Sequence, residues 1–187
     1  MRPTDRTRTR LRALGFAATT AALGLGGSAL IGGCGPEQID KPLLCPDPDL
    51  FKEAVSPYLE RRCGTLDCHG SESRPLRIEG QLGLRNPNEL NVSGGEPTTA
   101  AELDANYVSV CGLEPENMAD AVQKLGASAD MLKLVAKPRG EMHHKGGQVV
   151  EQGDSGDRCV TGWVGKLSNE DAARVRTECK AALDRLK

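Results

Sequence analysis

Residues 55–71 read VSPYLERRCGTLDCHGS and join an amphipathic helix to a pair of cysteines. Apolar residues in and just before this stretch recur at helical spacing and would share one face: Phe51, Val55, Tyr58 and Leu59. Asp49 can cap the start of the helix, and Pro57 is expected to kink it. The pattern therefore predicts a helix, buried on one side, that runs directly into Cys63.

The end of the stretch separates Cys63 from Cys68 by four residues and places His69 directly after the second cysteine. Two cysteines followed by a histidine are the arrangement that attaches haem c, most often as C-x-x-C-H. The thiols form thioethers with the haem vinyl groups, and the histidine ligates the iron. Gly64 would let the longer intervening loop bulge so that both sulfurs reach the porphyrin edge. A disulfide between the cysteines, or a zinc site completed by a loop histidine, are the alternatives.

The composition fits one small domain whose core has few bulky side chains. The chain has 187 residues, of which 38% are hydrophobic and 27% charged, but only 3% are aromatic. A core of Leu, Val and Ala alone would be thin, so a bound group could help to fill it. The net charge is −2, and it becomes −6 when residues 1–33, with five arginines and Asp5, are removed. This charge argues against nucleic acid as a partner.

The N-terminus has the composition of an export signal, because five arginines precede a Gly- and Ala-rich apolar run that ends at Gly33. The sequence Ile31-Gly32-Gly33-Cys34 resembles a bacterial lipobox, in which the cysteine is lipidated and becomes the mature N-terminus. We therefore predict a lipoprotein signal peptide at residues 1–33 and lipidation of Cys34. The alternative is a plain transmembrane anchor, but glycine-rich sequence is poor material for spanning hydrocarbon.

The remaining chain predicts short helices joined by long loops. Residues 34–49 contain four prolines and lack periodicity, which is typical of a flexible tether. The predicted domain, residues 50–187, contains further helix-start signals at Thr99 with Glu102, Pro115, Ser128, Asp157 and Ser168. Glycine-rich segments at 70–97 and 139–157 predict long ordered loops. The predicted fold class is mainly α.

Seven cysteines in an exported chain indicate an oxidising compartment. When Cys34 is assigned to lipid, and Cys63 and Cys68 to haem, four disulfide candidates remain: Cys45, Cys111, Cys159 and Cys179. These four allow three pairings, which the sequence leaves open. A bridge between Cys159 and Cys179 would pin the last two helices together.

Two segments, VSPYLERRCGTLDCHGS and KPRGEMHHKGG followed by WV, resemble c-type cytochrome domains of the planctomycete type and their relatives in bacterial lipoproteins. Those domains have a V-x-P-x-L helix, a cysteine pair that ends in CHG, and a later H-x-GG loop before a Trp-containing helix. The resemblance spans Phe51 to Leu167 and implies a small cytochrome c-like helical domain with one covalent haem c. The four-residue spacing between the cysteines departs from the family pattern.

The resemblance also assigns the second axial ligand of the iron. His144 begins the sequence His144-Lys145-Gly146-Gly147, which matches the H-x-GG loop, so His144 is the first choice. Met142 and His143 are the alternatives. The identity of the ligand matters, because methionine opposite histidine gives a higher reduction potential than a second histidine. An exposed polar loop without ligands is the other interpretation of these residues.

Together these features predict a lipid-anchored monohaem c-type cytochrome that carries electrons, rather than an enzyme that converts a substrate. We expect it in the cell envelope, on the outer membrane and facing the periplasm or the cell surface, with an unidentified redox partner. The alternative is a haem-free, disulfide-stapled lipoprotein that acts as a binding or structural module. A haem with an open sixth position could instead act as a peroxidase.

Overall fold

The helix that leads into Cys63 is the first element of the computed structural model, which describes residues 44–186. It begins as α1 (Pro48–Leu50), continues through a π-helical turn (Phe51–Val55) and ends as α2 (Ser56–Cys63). The cap is Asp47, whose side chain accepts hydrogen bonds from the backbone N–H groups of Asp49 and Leu50. The prediction of Asp49 as the cap was therefore wrong, because the first turn closes two residues earlier.

The π-helical turn lies directly upstream of Pro57. The backbone N–H of Ser56 donates to the carbonyl of Phe51, five residues back instead of the usual four. Proline has no N–H to donate, and its ring crowds the carbonyl of the preceding turn. The irregularity expected at Pro57 thus takes the form of a widened turn, and the helix continues through it to Cys63.

The other helices are α3 (Ala100–Cys111), α4 (Pro115–Gln123), a 3-10 turn (Ala129–Met131) followed by α5 (Lys133–Ala136), α6 (Ser155–Val164) and α7 (Asn169–Asp184). Between residues 44 and 186, the only β pairing is an isolated bridge between Glu79 and Leu84. The predicted mainly α fold is therefore confirmed. Long loops connect α2 to α3 and α5 to α6.

Capping residues set several of these helix starts. Thr99 and Glu102 form the predicted capping box of α3, and Ser168 caps α7 in a second box. Asp157 does not cap α6; Asp154 accepts the hydrogen bond from the backbone N–H of residue 157 instead. Ser128 occupies the N-cap position of the 3-10 turn, but its side chain makes no capping hydrogen bond. Local sequence thus located these helices but not always the residue that starts them.

The core is built around the π-helical turn. Phe51 and Trp163 are fully buried with ring centroids 5.0 Å apart, and Tyr107 lies edge-on to Phe51 at 5.6 Å. The indole N–H of Trp163 donates to the carbonyl of Asp47 at 2.9 Å. This cluster fixes the helix before Cys63 against α3 and α6.

Two disulfides bind the ends of the domain, Cys45–Cys111 and Cys159–Cys179. Beside the first, the hydroxyl of Tyr107 donates to the carbonyl of Pro46 at 2.8 Å. The folded domain therefore begins before residue 50, the predicted start of the domain. The sequence did not indicate this, because local composition does not reveal a distant disulfide partner. The predicted signal peptide, Cys34 and the rest of the tether lie outside the described residues. Among the described helices, none is long and apolar enough to cross a membrane.

Candidate functional site

The loop after α2 folds back on itself and brings Cys63, Cys68 and His69 together. The backbone N–H of His69 donates to the carbonyl of Cys63 at 2.8 Å, so the four-residue spacer closes into a tight loop. Inside the spacer, the N–H groups of Cys68 and Gly70 both donate to the carbonyl of Thr65 at 2.9 Å. The longer spacing is thus taken up by an ordered turn.

Three glycines make this turn possible, since Gly64, Gly70 and Gly83 meet backbone to backbone. A Cβ atom on Gly70 or on Gly83 would collide with the carbonyl oxygen of Gly64. The Cα atom of Gly83 would also lie 2.8 Å from a Cβ on Gly70. The glycine that follows His69 is therefore required by packing, and it holds the loop of residues 64–70 against the segment around residue 83.

Further contacts fix the loop and orient the imidazole of His69. The guanidinium of Arg74 donates to the carbonyls of Cys68 at 3.0 Å and Asp67 at 3.3 Å. His69 Nδ1 lies 3.0 Å from the carbonyl oxygen of Leu76. Because a carbonyl can only accept, Nδ1 carries the proton, and Nε2 is left with a free lone pair.

A cavity of about 490 Å³ opens beside this loop, and Cys63, Cys68, His69 and His144 all line it. Its wall is largely apolar and includes Leu59, Leu76, Ile78, Val135, Val150 and Val160. Its size lies within the roughly 300–1,000 Å³ range of small-molecule and cofactor sites. The arrangement can therefore bury an apolar ligand next to two thiols and two imidazoles.

His144 faces His69 across this cavity. The two imidazole rings are nearly parallel, with an interplanar angle of 11° and centroids 6.1 Å apart. His144 Nδ1 lies 2.9 Å from the carbonyl oxygen of Gly147, so this ring also keeps its proton on Nδ1 and its lone pair on Nε2. Backbone carbonyls thus fix the same tautomer in both histidines.

The other two candidates for the distal ligand are placed less favourably. His143 lines the cavity but is exposed. Met142 is 37% exposed and is not among the residues that line the cavity. Of the three neighbours, His144 is the one whose ring opposes His69.

Burial is the main cause of the lowered pKa of His69, and electrostatic interactions with His144, Arg74 and Lys137 act in the same direction. The hydrogen bond to Leu76 opposes this shift only in part. A lowered pKa keeps the imidazole neutral at physiological pH, which is the form that binds metals.

Cys63 and Cys68 are free thiols, whereas four other cysteines of the described chain form disulfides. Burial raises the pKa of Cys63 to about 12, although the nearby charge of Arg62 favours the thiolate. A thiol that stays protonated is a poor ligand for zinc, which binds thiolates. In the part of the chain that the structure covers, no group of three or more His, Cys, Asp or Glu side chains could hold a metal ion.

A buried ion pair, not predicted from the sequence, anchors the loop that carries His144. Arg139 binds Asp157 through two hydrogen bonds, from Nε to Oδ1 at 2.7 Å and from Nη2 to Oδ2 at 2.9 Å. Its Nη1 donates to Asp130 at 2.7 Å. No local sequence pattern pairs Arg139 with a residue of α6.

No protein-family model, curated protein or solved structure matches this chain. The features of this chain that bear on its function are the two histidines, the two thiols and the cavity that they share.

Proposed function

We propose that this chain is a lipid-anchored monohaem c-type cytochrome that carries electrons in the cell envelope. The observation that carries the proposal is the opposed pair of His69 and His144 at a cavity that also contains the free thiols of Cys63 and Cys68. Such a set of donors suits a haem, because the porphyrin supplies the equatorial ligands of the iron and the protein only the axial ones.

The spacing of the two imidazoles fits this group. A metal lies about 2 Å from a ligating imidazole nitrogen, so two rings on opposite sides of one metal have centroids about 6 Å apart. The observed centroid separation of 6.1 Å between the two parallel rings is compatible with that spacing. The free lone pair on each Nε2, fixed by the carbonyls of Leu76 and Gly147, supplies the two donors.

Bound haem supplies one-electron chemistry, and this chain's residues would set its conditions. Cys63 and Cys68 would hold the group covalently, while His69 and His144 would fill both axial positions. The apolar wall around Leu76 and Ile78 would keep water away from the porphyrin. If both His69 and His144 held the haem, electron transfer would be favoured over peroxidase chemistry, and a second histidine would give a lower potential than methionine.

Covalent haem is tested by producing the full chain in bacteria with and without a haem c maturation system. We expect a haem-stained band after denaturing electrophoresis and a mass increase of one haem. The matched control is the double variant Cys63→Ser/Cys68→Ser, which should lose both signals. A colourless protein with the mass of polypeptide plus lipid would instead favour the haem-free module.

The axial ligand is tested in the same preparation by His144→Ala, His143→Ala and Met142→Ala. We expect His144→Ala to retain covalent haem but to lose the absorption spectrum of a six-coordinate low-spin iron. The other two variants should keep the spectrum of the unmodified protein. Loss of that spectrum in Met142→Ala, but not in His144→Ala, would reassign the ligand.

A further inference from the structure

Arg62 lies in the last turn of α2, directly before Cys63, and its side chain forms part of the cavity wall. Its Nη2 donates to the carbonyl oxygen of Val149, 87 residues further along the chain. No carboxylate forms an ion pair with Arg62 among the described residues. The guanidinium therefore connects the helix of the first attachment cysteine to the opposite side of the cavity.

The segment that receives this hydrogen bond is the distal loop, defined here as residues 139–150. Its base is closed by the N–H groups of Val149 and Val150, which donate to the carbonyl of Pro138 at 2.8 and 3.1 Å. Its tip carries His144, whose ring donates to Gly147 while the N–H of Gly147 donates back to the carbonyl of His144 at 2.9 Å. In the described chain, the hydrogen bonds of residues 142–148 all stay within the loop.

Placing the guanidinium of Arg62 in this wall costs free energy that only a specific contact can offset. A half-buried cation in a largely apolar wall loses hydration, and here no carboxylate compensates for that loss. A leucine would complete the wall without this penalty. What the arginine adds is a charged hydrogen-bond donor, roughly twice as strong as a neutral one, at the end of a long side chain.

We infer that Arg62 is a positioning residue that holds the distal loop so that His144 stays opposite His69. Arg62 donates a hydrogen bond to Val149, two residues beyond Gly147, whose carbonyl orients the His144 ring. The inference rests on the proposed function, because its effect is on an axial ligand of haem. Without Arg62, we expect His144 to leave its place opposite His69 for part of the time, which would expose a bound haem to external ligands.

The test uses the full chain with haem attached and compares four variants. Arg62→Met keeps the length of the apolar stem, Arg62→Gln keeps an N–H donor that is too short to reach, and Arg62→Lys keeps both reach and charge. Arg61→Met is the matched control, because Arg61 is the adjacent residue and is exposed. The measurements are the spin state of the ferric protein, the rate of carbon monoxide binding to the ferrous protein, and the thermal midpoint.

We expect Arg62→Met and Arg62→Gln to show a high-spin fraction and to bind carbon monoxide roughly tenfold faster or more, as expected for the loss of one hydrogen bond from a charged donor. Arg62→Lys should restore much of the behaviour of the unmodified protein, and Arg61→Met should match it.

The inference is overturned if Arg62→Met and Arg62→Gln keep the low-spin spectrum and the slow carbon monoxide reaction, even when the thermal midpoint falls. That outcome would leave Arg62 with a purely structural role. If Arg62→Met does not fold, Arg62→Gln decides by the same two measurements. A chain that never acquires haem contradicts the proposed function instead, and its colourless state distinguishes the two failures.

Discussion

A single hydrogen bond to a backbone carbonyl determines the tautomer of His69, and another determines that of His144. The carbonyls of Leu76 and Gly147 accept from Nδ1 of His69 and His144, and this fixes the same tautomer in both rings. Backbone carbonyls do not change with side-chain substitution, so the tautomer is determined by how the two loops fold. The chemistry of these two imidazoles is therefore set by the geometry of the loops that carry the carbonyls.

The first prediction concerns Gly70, which has no space for a side chain. We expect Gly70→Ala to lower the free energy of unfolding by about 3 kcal/mol, at the upper end of typical overpacking costs, because the obstacle is a backbone carbonyl that cannot move aside. The measurement is urea unfolding of the full chain. Gly162→Ala, inside α6, is the control, since the nearest atom to its Cβ is a Val175 methyl at 3.1 Å. Equal effects of the two substitutions would contradict the packing argument.

The second prediction concerns the pH dependence of stability at Glu60. Burial raises the pKa of this carboxyl, and hydrogen bonds from Thr98 and Ser56 only partly offset the shift. The fold therefore favours the protonated form, so its stabilising contribution is complete below the unfolded pKa of about 4.3 and is lost as the pH rises through the higher folded value. Glu60→Gln should become progressively more stable than the unmodified chain across that interval.

Urea unfolding at several pH values, from about 4 to 8, measures this difference. Glu72→Gln provides the control, because Glu72 is exposed. A difference between Glu60→Gln and the unmodified chain that stays constant across the series would show that Glu60 titrates alike in the folded and unfolded states.

The third prediction concerns the ion pair between Arg139 and Asp157, which joins the distal loop to α6. Asp157→Ala leaves Arg139 buried without its main partner, since 4% of the Arg139 side chain is exposed. Removing one member of a buried pair costs about 3–5 kcal/mol, and the remaining contact with Asp130 favours the lower end. Chemical denaturation measures the loss. Glu53→Ala removes an exposed partner of Arg176 and should have little effect.

Sequence reasoning worked best for elements whose signals are local. The capping box of Thr99 and Glu102 needs only residues within one turn, and it was predicted correctly. The start of α6 was misassigned because Asp154 and Asp157 are both suitable caps; in the fold Asp154 caps the helix, whereas the side chain of Asp157 binds Arg139. The mainly α class follows from many such local signals together.

The candidate site was predictable to a similar extent. The adjacency of Cys68 and His69 pointed to one side of the cavity from the sequence alone. Nothing local distinguishes His144 from its two neighbours in facing the other side, and the choice came from a resemblance. The bond from Arg62 to Val149 joins positions 87 residues apart, and no pattern in the sequence indicates it.

The fourth prediction compares how much each of the two disulfides contributes to the free energy of unfolding. Cys45–Cys111 spans 66 residues and Cys159–Cys179 spans 20. In the chain-entropy account, the longer loop constrains the unfolded chain more, so we expect losses of about 4 and 3 kcal/mol when each pair is replaced by alanine. Urea unfolding of the two double variants measures the order. A larger loss for the shorter loop would show that native packing around Cys159 outweighs chain entropy.

The burial of Cys63 has a consequence for how the molecule is made. Burial raises the pKa of the Cys63 thiol to about 12, which disfavours the reactive thiolate at neutral pH in the finished fold. If haem joins this chain, the raised pKa favours attachment to a nascent or loosely folded polypeptide, before the domain closes around the porphyrin. A domain that matured empty would then stay empty, however much pigment was supplied later.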